Sequence, residues 1–436
     1  MKNRFAICGT IVLLLLLSAC GAPQTLDFSY APEGEELSSL MVETSQTHRA
    51  ELEHVPSAAD FADAISDDPA SAGLLSESEV ESLLRGHAAM ETVSKEQAQS
   101  DVSLLFRTLQ SAYGAYEYFG QEKFDAAEDA VTQWLSSQDD EIKVSALGEK
   151  LQESLAFMLA HDAHAMIYEP AAEEIEAQVR YEYFFADGFY FSKDVNGSYY
   201  MVNDGERWTL SSFSDEHVSV QPTLLQDGRI VYQPTLFALR KDAVQSSVTL
   251  KNSSGKAKIY RLDWTESQPL DVDLGTLDYR LIQEDGLTYV SLRSFVSGTY
   301  DNMLARYARE GAKARGSKAV IYDLRGNVGG SDSWPRKWIQ SFLGTQNSIE
   351  TSMLYAQKNS ALFAAENSES LLPEDEGTCF AREVHGTWYE NDIPIIVLVD
   401  DHCGSSGEGA VQLLKTLDNV LIVGSNTAGY QLCGNI

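Results

Sequence analysis

Positive charge is scarce in this chain. Its 436 residues hold 32 Lys and Arg against 65 Asp and Glu, a formal net charge of −33. Such a surface repels polyanions, which argues against nucleic acid and anionic lipid surfaces as partners. The excess acid is read as a solubility device. Cysteine is scarce too, five in all, and none of the spacings is of the metal-binding type. No Walker-type Gly-Lys-Ser follows a glycine-rich turn, so a phosphate cradle is not expected. No metal and no cofactor are expected. No repeat period is evident, and past the N-terminus no apolar run is long enough to cross a bilayer. The apolar fraction of 44% and aromatic fraction of 10% exclude a disordered or collagen-like chain, and the length allows two or three domains.

The N-terminus reads as a targeting segment. Lys2 and Arg4 precede the short apolar core Ala6 to Leu17, which ends in Leu17-Ser18-Ala19-Cys20. That tetrapeptide resembles a bacterial lipobox, whose cysteine is lipidated and opens the mature chain. Cys20 is therefore the expected lipidation site. Acyl chains there would hold the protein on the extracytoplasmic face of the cell membrane. With Cys8 in the signal, Cys379, Cys403 and Cys433 remain, which leaves room for one disulfide and one free thiol. Cys403 is read as a small buried filler.

Periodicity divides the rest. Gly21 to about Thr92 is acidic and rich in Ser and Ala, and reads as a tether followed by loose helix. From Ser94 to Leu159 apolar residues recur at three- and four-residue spacing, as in helices, with the aromatics Tyr113, Tyr116, Tyr118 and Phe119 read as packing core. From Tyr181 to Trp264 short aromatic-rich runs alternate with Asp-Gly and Asn-Gly turns, which predicts strands. Val248 to Leu250 and Ile259 to Leu262 are expected to form a hairpin. From Leu287 strands and helices alternate: Thr288–Leu292, a helix Asp301–Ala314, Ala319–Tyr322, a helix Trp334–Phe342, Ile395–Val399 and Val420–Val423. That alternation implies an α/β core with parallel strands and right-handed crossovers.

Two glycine-rich turns follow strands of this core. One is Asp323-Leu324-Arg325-Gly326-Asn327-Val328-Gly329-Gly330; the other is Cys403-Gly404-Ser405-Ser406-Gly407-Glu408-Gly409. Sites in such sheets lie at the carboxyl ends of strands. A serine on a tight strand-to-helix turn has its hydroxyl exposed beside unpaired helix N-terminal N–H groups, which can hold an oxyanion. A serine hydrolase is the leading reading.

The pair resembles the two signatures of the C-terminal-processing (tail-specific, tricorn-type) serine peptidases, over roughly residues 95 to 436. The first signature matches from Asp323 to Gly330. The second implies that Ser405, three residues before Glu408, is the nucleophile. Leu159-Ala160-His161-Asp162-Ala163-His164 resembles the segment of the subgroup whose base is a histidine, which maps the base onto His164. His161 and His402 are weaker candidates. Many members carry a lysine in a late Gly-Lys step; here Tyr430 follows Gly429, so a Ser–Lys dyad is not expected. By this resemblance Ser405 attacks the carbonyl and His164 moves the proton, while N–H groups of Ser406 and of Gly329 or Gly330 hold the oxyanion. Glu408 is read as a helix cap or charge and Arg325 as holding its turn.

The resemblance implies an α+β multidomain fold. Residues 1–20 form a lipoprotein signal, 21–93 an acidic tether, 94–170 a helical domain and 171–266 a β-rich module. The module is either a degenerate PDZ-like domain or a plain β insert. Residues 267–436 form a crotonase-like α/β peptidase core, expected to be incomplete at its C-terminus. The function expected is a membrane-anchored extracytoplasmic serine endopeptidase that cuts peptides or unfolded proteins. Its rival is a catalytically inactive peptide-binding lipoprotein on the same scaffold.

Overall fold

The computed structural model describes residues 36–85, 90–167, 181–186, 188–203, 205–225, 227–239, 246–266, 279–298, 301–366 and 375–431. The signal segment, Cys20 and Cys433 lie outside them. The fold is a mixed α/β one with several sheets, and the chain divides into two compact units, residues 1–40 with 182–268 and residues 41–181 with 269–436.

The first unit is antiparallel β. One sheet runs in the order Ala257–Leu262, Ser246–Lys251, Glu206–Phe213, Tyr199–Asn203, Ser192–Lys193; the other runs Trp264–Glu266, Tyr181–Ala186, Ile230–Leu239, Val218–Leu224. The expected hairpin is present, with Val248 opposite Tyr260. Alternation along Ser246–Lys251 points Val248 and Leu250 inward beside buried Trp208 and Phe191, so that one face of this strand is dry.

The second unit holds helices and the α/β core together. Lys95–Ala112 starts at Ser94, whose hydroxyl accepts from the Gln97 N–H. With Gln121–Ser136 and Val144–Ser154 it encloses Val102, Phe106, Phe124, Val131, Leu135 and Leu155. Tyr116 stacks on Phe124 at 4.3 Å inside this cluster. The stretch 21–93, read as a tether followed by loose helix, holds helices among its described residues. Leu37–Glu53 and Glu77–Leu84 are helices, the second opened by a reciprocal Ser76–Glu79 capping box. Leu75 and Val80 are buried against Ala361. Too few apolar residues mark these helices for a periodic stripe to show; their partners come from hundreds of residues downstream.

The core sheet runs in the order Tyr279–Glu284, Leu287–Leu292, Ala319–Asp323, Ile395–Val399, Val420–Gly424, with the first pair antiparallel and the rest parallel. One face of the sheet is fully buried, with Val320, Tyr322, Ile395, Val397 and Val420 in register among helices that supply Leu304, Tyr307, Trp338, Ile339, Ala410 and Leu414, while Ile321, Ile396 and Leu421 on the other face are half-buried. The expected helix 301–314 stops early: Asp301–Glu310 is α-helical and Gly311–Gly316 is a 3₁₀ turn. Gly311 sits where a Cβ would stand 2.3 Å from the Trp338 carbonyl oxygen, so the close approach of Ser333–Leu343 requires a glycine there. Register aligns Asp323 with Leu398 and Val399 with Gly424. The two glycine-rich turns therefore leave the sheet side by side, from the carboxyl ends of adjacent strands.

Candidate active site

Asp323 ends its strand with no exposure, and its carboxylate accepts from the backbone N–H, Nε and Nη2 of Arg325 and from the Tyr289 hydroxyl. Burial alone would raise its pKa, but these donors outweigh it and hold the carboxyl below its ordinary range. The first turn is thus locked by an internal ion pair, the role read for Arg325. Asp400, at the end of the neighbouring strand, accepts the Gly326 N–H at 2.8 Å. Asn327 is also fully buried. Its Oδ1 accepts from the Gly329 N–H, its Nδ2 donates to the Leu292 carbonyl, and its own carbonyl accepts from the Gly404 N–H. One side chain and its carbonyl thereby join three strand ends.

Ser405 caps the helix Ser406–Leu414 at φ 52° and ψ −120°. A non-glycine residue at positive φ carries strain that persists only where its surroundings hold it, which is common at functional sites. Glu408, buried, is what holds it. Its carboxylate accepts from the Ser405 N–H at 3.0 Å, the Tyr430 N–H at 2.9 Å, the Gly429 N–H at 2.9 Å and the Thr427 hydroxyl at 2.5 Å. Ala428 N–H donates to the Cys403 carbonyl and Gln431 Nε2 to the Ser405 carbonyl. The late loop 427–431 is therefore stitched onto the serine turn.

The first turn packs on the second. A Cβ on Gly329, at φ 96°, would stand 2.7 Å from the Ser405 Cβ and 3.0 Å from the Ser406 nitrogen. The Ser406 hydroxyl donates to the Gly330 carbonyl at 2.8 Å. Of the three expected oxyanion donors, Gly329 has its N–H engaged by Asn327. The N–H groups of Ser406 and Gly330 have no acceptor among the described residues. Cys403 is fully buried, and burial, followed by the nearby Glu408 and Asp400 charges, pushes its thiol far up. It stays a thiol, unsuited to attack.

His164 comes from the helical region, just past the short helix Ala156–Leu159. Buried Asp162 shapes its loop: one carboxylate oxygen accepts the His164 N–H at 3.0 Å, the other the Tyr113 hydroxyl at 2.9 Å. The Ala163 N–H donates to the Gly429 carbonyl, which brings the loop against 427–431. The His164 ring meets the Tyr430 ring edge to face, centroids 4.6 Å apart, and its Nδ1 is buried without a partner. Tyr430 in turn covers Gly404, where a Cβ would stand 2.8 Å from the tyrosine Cδ2. Tyr430 thus contacts both His164 and the residue next to Ser405, and no hydrogen bond joins His164 to Ser405 among the described residues. His161 is exposed and faces Phe119 instead.

Sequence reasoning missed Asn327, Asp162 and the full reach of Glu408. The glutamate has a signal, since it stands three residues after a serine at a helix start, the spacing of a capping box. Asn327 stands inside the first glycine-rich turn, but its role does not show there, because its Leu292 and Gly404 partners end or follow other strands.

Three comparisons bear on the site. The sequence profile described as peptidase family S41 matches residues 286–435. No curated protein matches the chain. Among solved structures, a candidate peptidase from Parabacteroides merdae ATCC 43184 is similar at 14% identity and TM-score 0.33, covering 77% of this chain and 76% of that one. A photosystem II D1 C-terminal processing protease is similar at 13% identity and TM-score 0.30, covering 77% of this chain and 82% of that one.

Proposed function

We propose, from the match of residues 286–435 to the profile of peptidase family S41, a family of serine peptidases, that the chain is a serine endopeptidase of Ser–His type, held by a lipid anchor at Cys20 on the extracytoplasmic face of a membrane. A peptidase acts on peptide or protein substrates. The observation that carries the catalytic reading is Ser405: a strained, partly exposed serine at a helix start, beside the uncommitted N–H groups of Ser406 and Gly330.

The chemistry follows from what amide hydrolysis needs. Ser405 Oγ attacks the scissile carbonyl as His164 takes its proton. The oxyanion is held by the Ser406 and Gly330 N–H groups, and His164 returns the proton to the leaving amine. The mainly parallel sheet favours a crotonase-like core, and the β-rich unit is read as a PDZ-like or plain β insert. One observation favours a second reading, an inactive peptide-binding protein: Tyr430 packs against His164 where direct contact with Ser405 would be needed.

A fluorophosphonate probe separates the two readings. It should label the full chain at Ser405. Labelling should vanish in Ser405→Ala, fall about a hundredfold or more in rate in His164→Ala, and persist in Cys403→Ala and His161→Ala. A folded chain that stays unlabelled beside a reactive serine peptidase would leave the peptide-binding reading in place.

A further inference from the structure

Asp400, Asp401 and His402 stand together where the strand Ile395–Val399 ends, before the serine turn begins. Each offers one donor atom, a carboxylate oxygen or an imidazole nitrogen, and these atoms lie within 4.8 Å of one another. Proximity of acids alone is common; three further features separate this cluster from a solvated acidic patch. Asp400 is 3% exposed, and its Oδ2 is buried with no hydrogen-bond partner. Its Oδ1 is already used by the Gly326 and His402 N–H groups. A buried carboxylate oxygen without a donor is costly unless a cation meets it. His402 Nδ1, also buried and without a hydrogen bond, stands 3.0 Å from Asp401 Oδ1. Two ligands of one tetrahedral ion, each roughly 2.1 Å from it, are roughly 3.4 Å apart, so this pair needs to open by only a few tenths of an ångström to share an ion. The Arg325 guanidinium, whose charge interacts with Asp400, is bound through Nε and Nη2 to Asp323.

We propose that Asp400, Asp401 and His402 form a divalent-cation site. Two carboxylates and one imidazole suit a borderline transition ion such as Zn²⁺ rather than Ca²⁺, which takes six to eight oxygens. Three protein donors leave at least one position for water. The ion sits one residue past the strand end and two before Gly404. Asp400 also holds Gly326, so binding braces the end of one strand to the signature turn of the other. The site does not depend on the peptidase reading, since none of its three residues is a nucleophile, base or oxyanion donor there.

The test uses the full chain without an affinity tag. Calorimetric titration with ZnCl₂ should show one saturable site. Binding should weaken at least about tenfold in Asp401→Asn and in His402→Ala, the scale on which even second-shell ligand partners act. Both residues are partly exposed, and the melting temperatures of both variants without ion should match the parent. A second measurement needs no variant: diethyl pyrocarbonate modification of His402, read by peptide mass spectrometry, should slow when Zn²⁺ is present. Absence of saturable binding overturns the proposal. So does equal affinity in both variants, which would place the ion elsewhere on this acidic surface, or modification of His402 at an unchanged rate.

Discussion

Ser405 occupies a backbone conformation that L-residues avoid, and the energy that keeps it there comes from one carboxylate. Glu408 accepts four hydrogen bonds, from Ser405, Tyr430, Gly429 and Thr427. Replacing it with Gln leaves one oxygen where two were needed and turns an NH₂ toward a donor. Glu408→Gln should destabilise the chain by about 1–3 kcal/mol, the cost of leaving buried donors unsatisfied, as read by denaturant unfolding. It should also slow labelling of Ser405 by the fluorophosphonate, because the serine turn and the loop bearing Tyr430 come apart together. A change in stability without any change in labelling would mean that the serine turn holds its shape without the glutamate. At this scale the serine turn at the helix start was legible in the residues, because its neighbours are small and a Glu follows at capping distance. The path from His164 to Ser405 was not legible: it passes through Tyr430, on a loop about 270 residues further along the chain.

The helix Leu37–Glu53 shows how an element with little apolar signal gains a place in the fold. Ser45 Oγ accepts from the Asn419 N–H, the Leu52 carbonyl accepts from the Ser352 hydroxyl, and Glu51 pairs with Lys415 at 2.5 Å. Between them His48 is 7% exposed, with an unpartnered Nδ1. Burial, followed by the Lys415 charge, lowers its pKa from 6.5 to about 4, against a smaller opposing pull from Glu51. The imidazole is therefore neutral when folded and binds a proton more readily when unfolded. Its contribution is complete above pH 6.5 and is lost as pH falls from 6.5 to about 4, by at most about 3 kcal/mol. Unfolding free energy measured from pH 7 to pH 4 should fall more steeply for the parent than for His48→Gln; parallel profiles would refute the assignment. The parallel strands of the α/β sheet, by contrast, were readable within a residue or two, since runs such as Ile395–Val399 are apolar throughout and bounded by turns, whereas the antiparallel edge strand Tyr279–Glu284, largely exposed, was missed.

For the whole molecule the excess of negative charge bears on where it works. A chain of net charge −33 is not drawn to an anionic bilayer by electrostatics, so any residence there depends on acyl chains at Cys20. In a bacterial host the mature protein should begin at Cys20 and fractionate with membranes, and Cys20→Ala should release it or block its maturation. Recovery of an unlipidated mature protein beginning well downstream would refute the anchor. The division into two units also cuts across the order of the chain: residues 41–181 and 269–436 form one unit, although the β unit lies between them in sequence. A reading that moves along the sequence separates the helical region from the α/β core, because local periodicity carries no record of which segments meet.

What the sequence determined by itself is local. Apolar runs set the core strands, alternation set the β hairpin, and clustered small residues set the two turns at strand ends, because each depends on neighbours within a few positions. Tertiary structure alone decided where the helices of the stretch read as tether and loose helix dock, held by Ala361, Lys415 and Asn419. It alone decided that Asn327 takes the Gly329 N–H out of the candidate oxyanion site. It also placed the Tyr430 ring against both His164 and Gly404. Those outcomes depend on which distant groups compete for the same buried hydrogen bonds and the same space, and only the folded chain brings the competitors together.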